Sequence, residues 1–251
     1  MTNALVLAAR DGPVARLTLN DPDHANVLSG PMMAALGKAL AQAAADPEVR
    51  VIVLAAAGRI YCAGHDLSEL TGGLAAPTPA ALFKQCAALM TAIGACRAPV
   101  IARVQGAAVA AGCQLVASCD LAFAAEGVKF AVSGVNLGLF CSTPGVALGR
   151  AVGRKAAMEL LLTGRTIDAA RAAELGLINR AVPAGELDAV VDEAARLIAE
   201  KPPEAISLGK AVFNRQIEAP LADAYDIAGE AMVENLAYES AQSGIRAFMA
   251  R

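Results

Sequence analysis

The sequence predicts an α/β core followed by an all-helical tail, and three observations carry that prediction. Two short apolar runs, residues 50–56 (RVIVLAA) and 99–104, read as buried strands. Each is followed by a stretch of small residues and then by a helical pattern. From Pro144 onwards the apolar residues recur at helical spacing.

The chain opens on a predicted hairpin, with strands at 4–9 and 14–20 around an Arg-Asp-Gly-Pro turn at 10–13. Asp21-Pro22-Asp23 breaks the second strand. Ser29 can cap a helix that tolerates Pro31 in its first turn and runs to about Ala45. After the buried strand at 50–56 come a loop at 58–64 and a helical turn at 66–70. Residues 72–79, rich in Gly, Ala, Pro and Thr, read as a mobile surface loop. A helix to about Ala95 leads to the strand at 99–104. Residues 106–119 read as a glycine-punctuated loop entering a short helix, followed by strands at 121–125 and 129–132. Helices are expected at 152–162, 168–175, 186–199 and 203–216, and from Leu221 onwards. There is no strict sequence repeat.

Composition narrows the function. Of the 251 residues 56% are hydrophobic and only 18% charged, with a mean hydropathy of +0.49, so subunit contacts are expected to cover part of the surface. A net charge of −3, with three Tyr, six Phe and no Trp, offers neither a basic footprint nor stacking platforms, which argues against nucleic acid. The six cysteines form no C-x-x-C pair, and two histidines supply no recognisable metal-site spacing. Free thiols and the lack of a signal-like pattern in residues 1–10 lead to the expectation of a cytoplasmic protein. Residues 130–149 carry no formal charge, yet four glycines, a proline and several polar residues mark them as buried loops rather than a membrane span.

Two segments carry chemistry. Arg59-Ile60-Tyr61-Cys62-Ala63-Gly64-His65-Asp66-Leu67 and Gly106-Ala107-Ala108-Val109-Ala110-Ala111-Gly112-Cys113-Gln114 each follow a buried strand, where open α/β sheets tend to bind ligands. Their small residues allow close approach to the backbone, and the second leaves N–H groups uncovered at a helix start, which favours negative charge. Either run alone is equally compatible with tight packing, and the second does not fit the G-x-G-x-x-G dinucleotide pattern.

Taken together and in this order, the two segments resemble the paired signatures of the enoyl-CoA hydratase/isomerase (crotonase) superfamily. The stretches His24-Ala25-Asn26-Val27-Leu28-Ser29, Ala98 to Gly106, and Leu162-Thr163-Gly164-Arg165 with Gly176-Leu177-Ile178 and Ala181-Val182-Pro183 match it as well. The resemblance implies a spiral of ββα units over residues 1–195. It also implies a helical region at 196–251 that builds a homotrimer, or a hexamer as a dimer of trimers. It implies an acyl-CoA thioester as ligand, with coenzyme A carried by the substrate, and no separate cofactor, metal, nucleic acid or membrane. Ala25, Ala63, Asp66 and Leu67 would line the CoA groove, and the backbone N–H groups of His65 and Ala111 would form an oxyanion hole. Such preorganised donors are each worth roughly 10²–10³ in rate.

The chain departs from that pattern at both catalytic positions. Gln114 stands where the first glutamate is expected, and counting on without a gap places Gly134 at the second. An amide can orient water but takes no proton near neutral pH. The run from Asn136 to Leu148 resembles the enoyl-CoA hydratase domain-containing subgroup. The expectation is therefore a nominal enoyl-CoA hydratase of fatty acid metabolism with weak hydration or a different crotonase-type reaction. The alternative is a CoA-thioester-binding regulatory or scaffold protein with little turnover. Gln114 holding a water, His65, Asp66, Glu69 and Glu126 are the candidates for the missing acid/base.

Overall fold

The computed structural model describes residues 4–72 and 78–250. Eleven helices and ten strands are built from them, and the strands fall into two sheets. The hairpin β1 (Val6–Asp11) and β2 (Val14–Leu19) is antiparallel, Asp11 pairing with Val14. Helix α1 (Gly30–Ala45) starts where Ser29 Oγ accepts the Met32 N–H at 3.2 Å, with Pro at its first turn.

Three successive passes then repeat one path. Strand β3 (Val51–Ala56) is followed by β4 (Ile60–Cys62) and helices α2 (Leu67–Leu70) and α3 (Pro79–Ala95). Strand β5 (Val100–Val104) is followed by β6 (Ala107–Val109) and α4 (Ala111–Ala117). Strand β7 (Leu121–Ala125) is followed by β8 (Lys129–Ala131), a 3₁₀ turn at Ser133–Leu137 and α5 (Ser142–Ala151). In every pass the first strand enters one sheet and the second enters the other. A structural repeat of ββα units thus exists without a sequence repeat.

The chain continues through α6 (Arg154–Thr163), β9 (Ile167–Asp168), α7 (Ala169–Leu175), β10 (Arg180–Val182) and α8 (Leu187–Ala199). It ends in α9 (Pro203–Gln216), α10 (Leu221–Leu236) and α11 (Glu239–Met249). The large sheet has the order β1-β2-β3-β5-β7-β10 and is parallel from β2 onwards. The small sheet runs β4-β6-β8-β9, with β4, β6 and β8 parallel and β9 antiparallel. Strand β3 is buried along its whole length, as a central strand covered on both faces must be.

Two expectations need correction. The loops expected at 58–64 and at the start of 106–119 contain the strands β4 and β6. Three-residue strands are too short to show a period, and they form only because non-local neighbours pair with them. The hairpin strands also shift relative to the expected ranges, β1 running two residues further than residue 9 and Gly12 turning the chain at φ +53°. The loop expected at 72–79 falls mostly outside the described residues; Thr78 caps α3 by accepting the Ala81 N–H.

The last helices contrast with the core. Helices α9 and α11 bury no residue and α10 buries only Ala224. Phe213, Tyr225, Met232, Val233 and Phe248 are each more than half exposed. The anchor of α9 is Lys210, whose Nζ donates to Asp120 at 2.6 Å and to the Ile93 carbonyl at 3.0 Å. Among the described residues no helix is long and apolar enough to cross a membrane.

Candidate functional site

The C-terminal ends of β4, β6 and β8 lie side by side, so three turns are brought together: 63–66, 110–114 and 132–141. This is the end of a parallel sheet at which ligands characteristically bind. Glycine makes the first two turns meet. A Cβ on Gly112 would stand 2.1 Å from the Cys62 carbonyl oxygen, and one on Gly64 would stand 3.4 Å from the Ala111 nitrogen. The two signature segments therefore touch through their backbones, leaving no room for a side chain between them.

Neither the His65 nor the Ala111 N–H is consumed by the framework around it. Among the described residues His65 N donates to no main-chain carbonyl. Ala111 is the first residue of α4, and donors in a first helical turn have no acceptor within the helix. Ala110, just before it, sits at φ +49°, ψ −115°, a conformation costly for any residue with a Cβ. The strain is held by Ala110 N donating to the Ala131 carbonyl at 2.8 Å and by Gly64 packed against Ala110. Backbone strain of this kind concentrates where geometry serves a function.

A second strained turn supports the first. Ala25 and Asn26 both adopt the left-handed region, at φ 54° and 51°. The Ala25 carbonyl accepts the Ala63 N–H at 3.1 Å, and Leu28 N donates to the Gly64 carbonyl at 2.7 Å. Asn26 is fully buried and holds this arrangement: its Oδ1 accepts the Asp21 N–H at 2.9 Å, and its Nδ2 donates to the carbonyls of Ala57 and Ile60 at 2.9 and 2.8 Å. Sequence reasoning gave a role to Ala25 in this stretch and none to Asn26, whose burial and three hydrogen-bond partners are set by the fold and leave no local signal.

The five acid/base candidates separate on geometry. Asp66 caps α2, accepting Ser68 Oγ at 2.7 Å and Ser68 N at 2.9 Å, and those bonds hold its carboxyl below the usual range. Glu69 caps α1 through the Gly30 N–H at 2.9 Å. Glu126 lies in a surface groove with Ala173 and Arg180 beside β10, an edge strand of the other sheet. Gln114 and His65 remain.

Gln114 is 4% exposed on α4, and its Oε1 has the Cys86 thiol 3.9 Å away. The His65 ring packs edge-on against Phe83 of α3 with centroids 5.4 Å apart, and its Nε2 is enclosed without a partner among the described residues. Burial alone lowers its basicity, so the ring is neutral near pH 7. Leu67 and Ala63 are exposed, whereas Ala111 is buried. Burial pushes the thiols of Cys62 and Cys113 up to about 12, which makes them poor nucleophiles at neutral pH. Among the described residues no cluster of three His, Cys, Asp or Glu side chains is placed to hold a metal ion.

Gly134 is the third turn's decisive residue. A Cβ there would stand 2.3 Å from the Leu139 carbonyl oxygen and 2.8 Å from Cys141 Sγ. The position expected to carry a second carboxylate is closed by backbone as well as empty of a side chain.

Comparison with known proteins agrees with this architecture. The enoyl-CoA hydratase/isomerase family model matches residues 9–251. The chain belongs to that family. It is 44% identical to the mitochondrial enoyl-CoA hydratase domain-containing protein 3 of Xenopus laevis over 98% of this chain and 83% of that one. The crystal structure of an enoyl-CoA hydratase from Mycobacterium smegmatis superposes with a TM-score of 0.93 at 50% identity, covering 98% of this chain and 96% of that one. Human enoyl Coenzyme A hydratase domain-containing protein 3 gives 0.94 at 43%, covering 98% and 97%. The two-sheet α/β architecture is thus the crotonase fold, and the resemblance to the domain-containing subgroup holds along nearly the whole chain.

Proposed function

We propose that this chain processes acyl-CoA thioesters, holding the thioester oxygen between the N–H groups of His65 and Ala111. The carrying observation is the meeting of the two turns, with Gly64 packed against the Val109 carbonyl, the Ala110 methyl and the Ala111 nitrogen. Ala25, Ala63, Asp66 and Leu67 lie on the segments that flank this junction and form the groove for the CoA moiety. Charge that gathers on the oxygen as Cα becomes acidic, or Cβ electrophilic, is stabilised by donors already in place. The ligand brings its own coenzyme A, and no other cofactor enters the reading.

Hydration is slow on this reading. It needs one group to activate water and one to manage the proton at Cα, and general acid–base catalysis is worth about 10²–10⁴ in rate. Gln114 orients a water but takes no proton, and Gly134 offers no side chain. The exposed apolar faces of α9, α10 and α11 support a homotrimer, or a dimer of trimers, built through those helices. The closed position at Gly134 favours a second reading, a CoA-thioester-binding regulatory or scaffold protein with little turnover.

Hydration of crotonyl-CoA, followed as loss of the conjugated absorbance, tests the assignment. The wild-type chain is expected to run about 10²–10⁴-fold below a two-carboxylate hydratase, and Gln114→Glu is expected to raise the rate. Ordinary turnover by the wild type would show that the missing carboxylates do not matter. Tight binding with no turnover in either protein would favour the second reading. Gly134→Glu is not a clean restoration, since its side chain would have to displace the Leu139 carbonyl.

A further inference from the structure

We propose that Cys86 is a positioning residue whose thiol holds the Gln114 carboxamide by its oxygen and leaves only the NH2 end for a ligand. The pocket then carries a third N–H donor and favours the enolate of an acyl-CoA thioester over its keto form. The inference rests on the reading of His65 and Ala111 as the thioester cradle. Cys86 lies on α3 three residues after Phe83, and residues so spaced share a helix face. That face touches both segments of the cradle: Phe83 packs edge-on against the His65 ring at 5.4 Å, and Cys86 Sγ lies 3.9 Å from Gln114 Oε1. Gln85 pins the helix there, its Nε2 donating to the Gly30 carbonyl at 2.8 Å.

Gln114 follows Ala111 by three residues on α4, so these two also share a face. Helical side chains lean toward the helix N-terminus, which here is the end that carries the Ala111 N–H. Cys86 is fully buried, and burial pushes its thiol up to about 11. It keeps its proton at neutral pH and donates it to Oε1, the one acceptor of the carboxamide. Among the described residues the side-chain atoms enclosed without a partner are Tyr61 OH, His65 Nε2 and Gln105 Oε1. Gln114 Nε2 is not one of them, so the NH2 end is not sealed away.

The direction of that amide sets what the pocket favours. A carboxylate at this position would repel a negative charge gathering nearby, whereas an NH2 group attracts it. When a thioester flanked by a second carbonyl loses its Cα proton to the buffer, the electron pair spreads onto the two carbonyl oxygens. Those oxygens become charged acceptors, and two main-chain N–H groups with an amide NH2 bind them better than the neutral form. A water held by Gln114 is held through its own oxygen, which leaves it no more nucleophilic than before. Slow hydration and enolate binding thus have one cause.

Titrating acetoacetyl-CoA bound to the full chain against pH, and reading the enolate by its ultraviolet absorbance, tests this. In Gln114→Met the apparent pKa of the bound ligand is expected about one pH unit above the wild-type value, the tenfold effect of one hydrogen bond to a charged acceptor. In Gln114→Glu it is expected higher still. Equal values in the wild type and Gln114→Met overturn the donor role and leave the acyl-CoA reading standing. Failure of both acetoacetyl-CoA and butyryl-CoA to bind in calorimetry overturns the acyl-CoA reading and this inference with it. Cys86→Ala frees the amide to take two orientations, which is expected to raise the value by about 0.3 pH unit, a twofold loss of the competent form. Cys86→Ser keeps a donor and is expected to restore the wild-type value. An unmoved value in Cys86→Ala, with or without weaker butyryl-CoA binding, or a shift that serine does not restore, overturns the role of the thiol.

Discussion

The turns after β4 and β6 and the turn after β8 stand side by side at the same end of one small sheet, yet they have fared differently. The first two meet through glycines with no space to spare and leave two N–H groups uncommitted. The third lacks the side chain expected of it, and the Leu139 carbonyl oxygen occupies that space. Stabilising charge on a thioester oxygen needs only backbone, so it survives when side chains change. Moving protons needs a titratable side chain, and the two positions expected to supply one hold Gln114 and Gly134, which cannot do so. The contrast separates a family member's scaffold for binding and polarisation from its machinery for proton transfer.

The comparison breaks most severely at Gly112. Its Cβ would stand 2.1 Å from the Cys62 carbonyl oxygen, and helix α4 and strand β4 are both too firmly paired to give way cheaply. Gly112→Ala is expected to cost about 3 kcal/mol of stability, at the upper end for overpacking. It is also expected to abolish measurable butyryl-CoA binding by prising the two N–H donors apart. Urea unfolding and calorimetry on the same sample check both, and retained affinity would show that the junction does not make the site.

Asn26→Ala probes the same junction from behind. It leaves the carbonyls of Ala57 and Ile60 and the Asp21 N–H without their buried partner, and it puts alanine at φ 51°, where asparagine is better tolerated. Unsatisfied buried groups cost about 1–3 kcal/mol each, partly recovered by relaxation, so a net loss of about 2–3 kcal/mol is expected. Denaturant midpoints measure it. Because Asn26 lies behind the Ala25–Ala63 contact, affinity for butyryl-CoA is expected to fall less than in Gly112→Ala.

What the sequence reveals follows the same division. Ser29 as a cap, the buried strand through Val53 and the two glycine-rich segments are local patterns, legible because their chemistry lies within a few residues. Strands β4, β6 and β9 are two or three residues long and exist through partners far along the chain, so nothing local announces them, whereas β8 falls within the strand expected at 129–132. The absence of a carboxylate at Gly134 is legible by counting. The closure by Leu139 is not, because it depends on how a five-residue turn is wound. Asp66 and Glu69 looked free for proton transfer only because capping partners cannot be read from composition.

The smallest expected effect concerns His65, which belongs to both sides of the comparison: its N–H is one donor of the proposed cradle, while its ring is the one remaining titratable side chain among the acid/base candidates. The ring packs on Phe83 with Nε2 enclosed, and no neighbouring charge offsets that burial; Asp66 is engaged by Ser68 and Glu69 by Gly30. Its folded basicity lies below the ordinary value of 6.5, so below that pH the unfolded chain binds a proton that the folded chain refuses. Stability is therefore expected to fall as pH drops from about 6.5 through the lowered folded value, and to be unaffected by this group above 6.5. His65→Gln removes the titration and keeps a polar side chain and the backbone donor. At fixed protein concentration, the urea midpoint of this variant is expected to lose less between pH 7 and pH 5 than that of the wild type. Parallel slopes would mean that the imidazole is hydrated in solution and that its enclosure against Phe83 does not persist. A steeper wild-type slope would mark the ring as a neutral packing element, leaving Gln114 as the remaining polar side chain among the candidates.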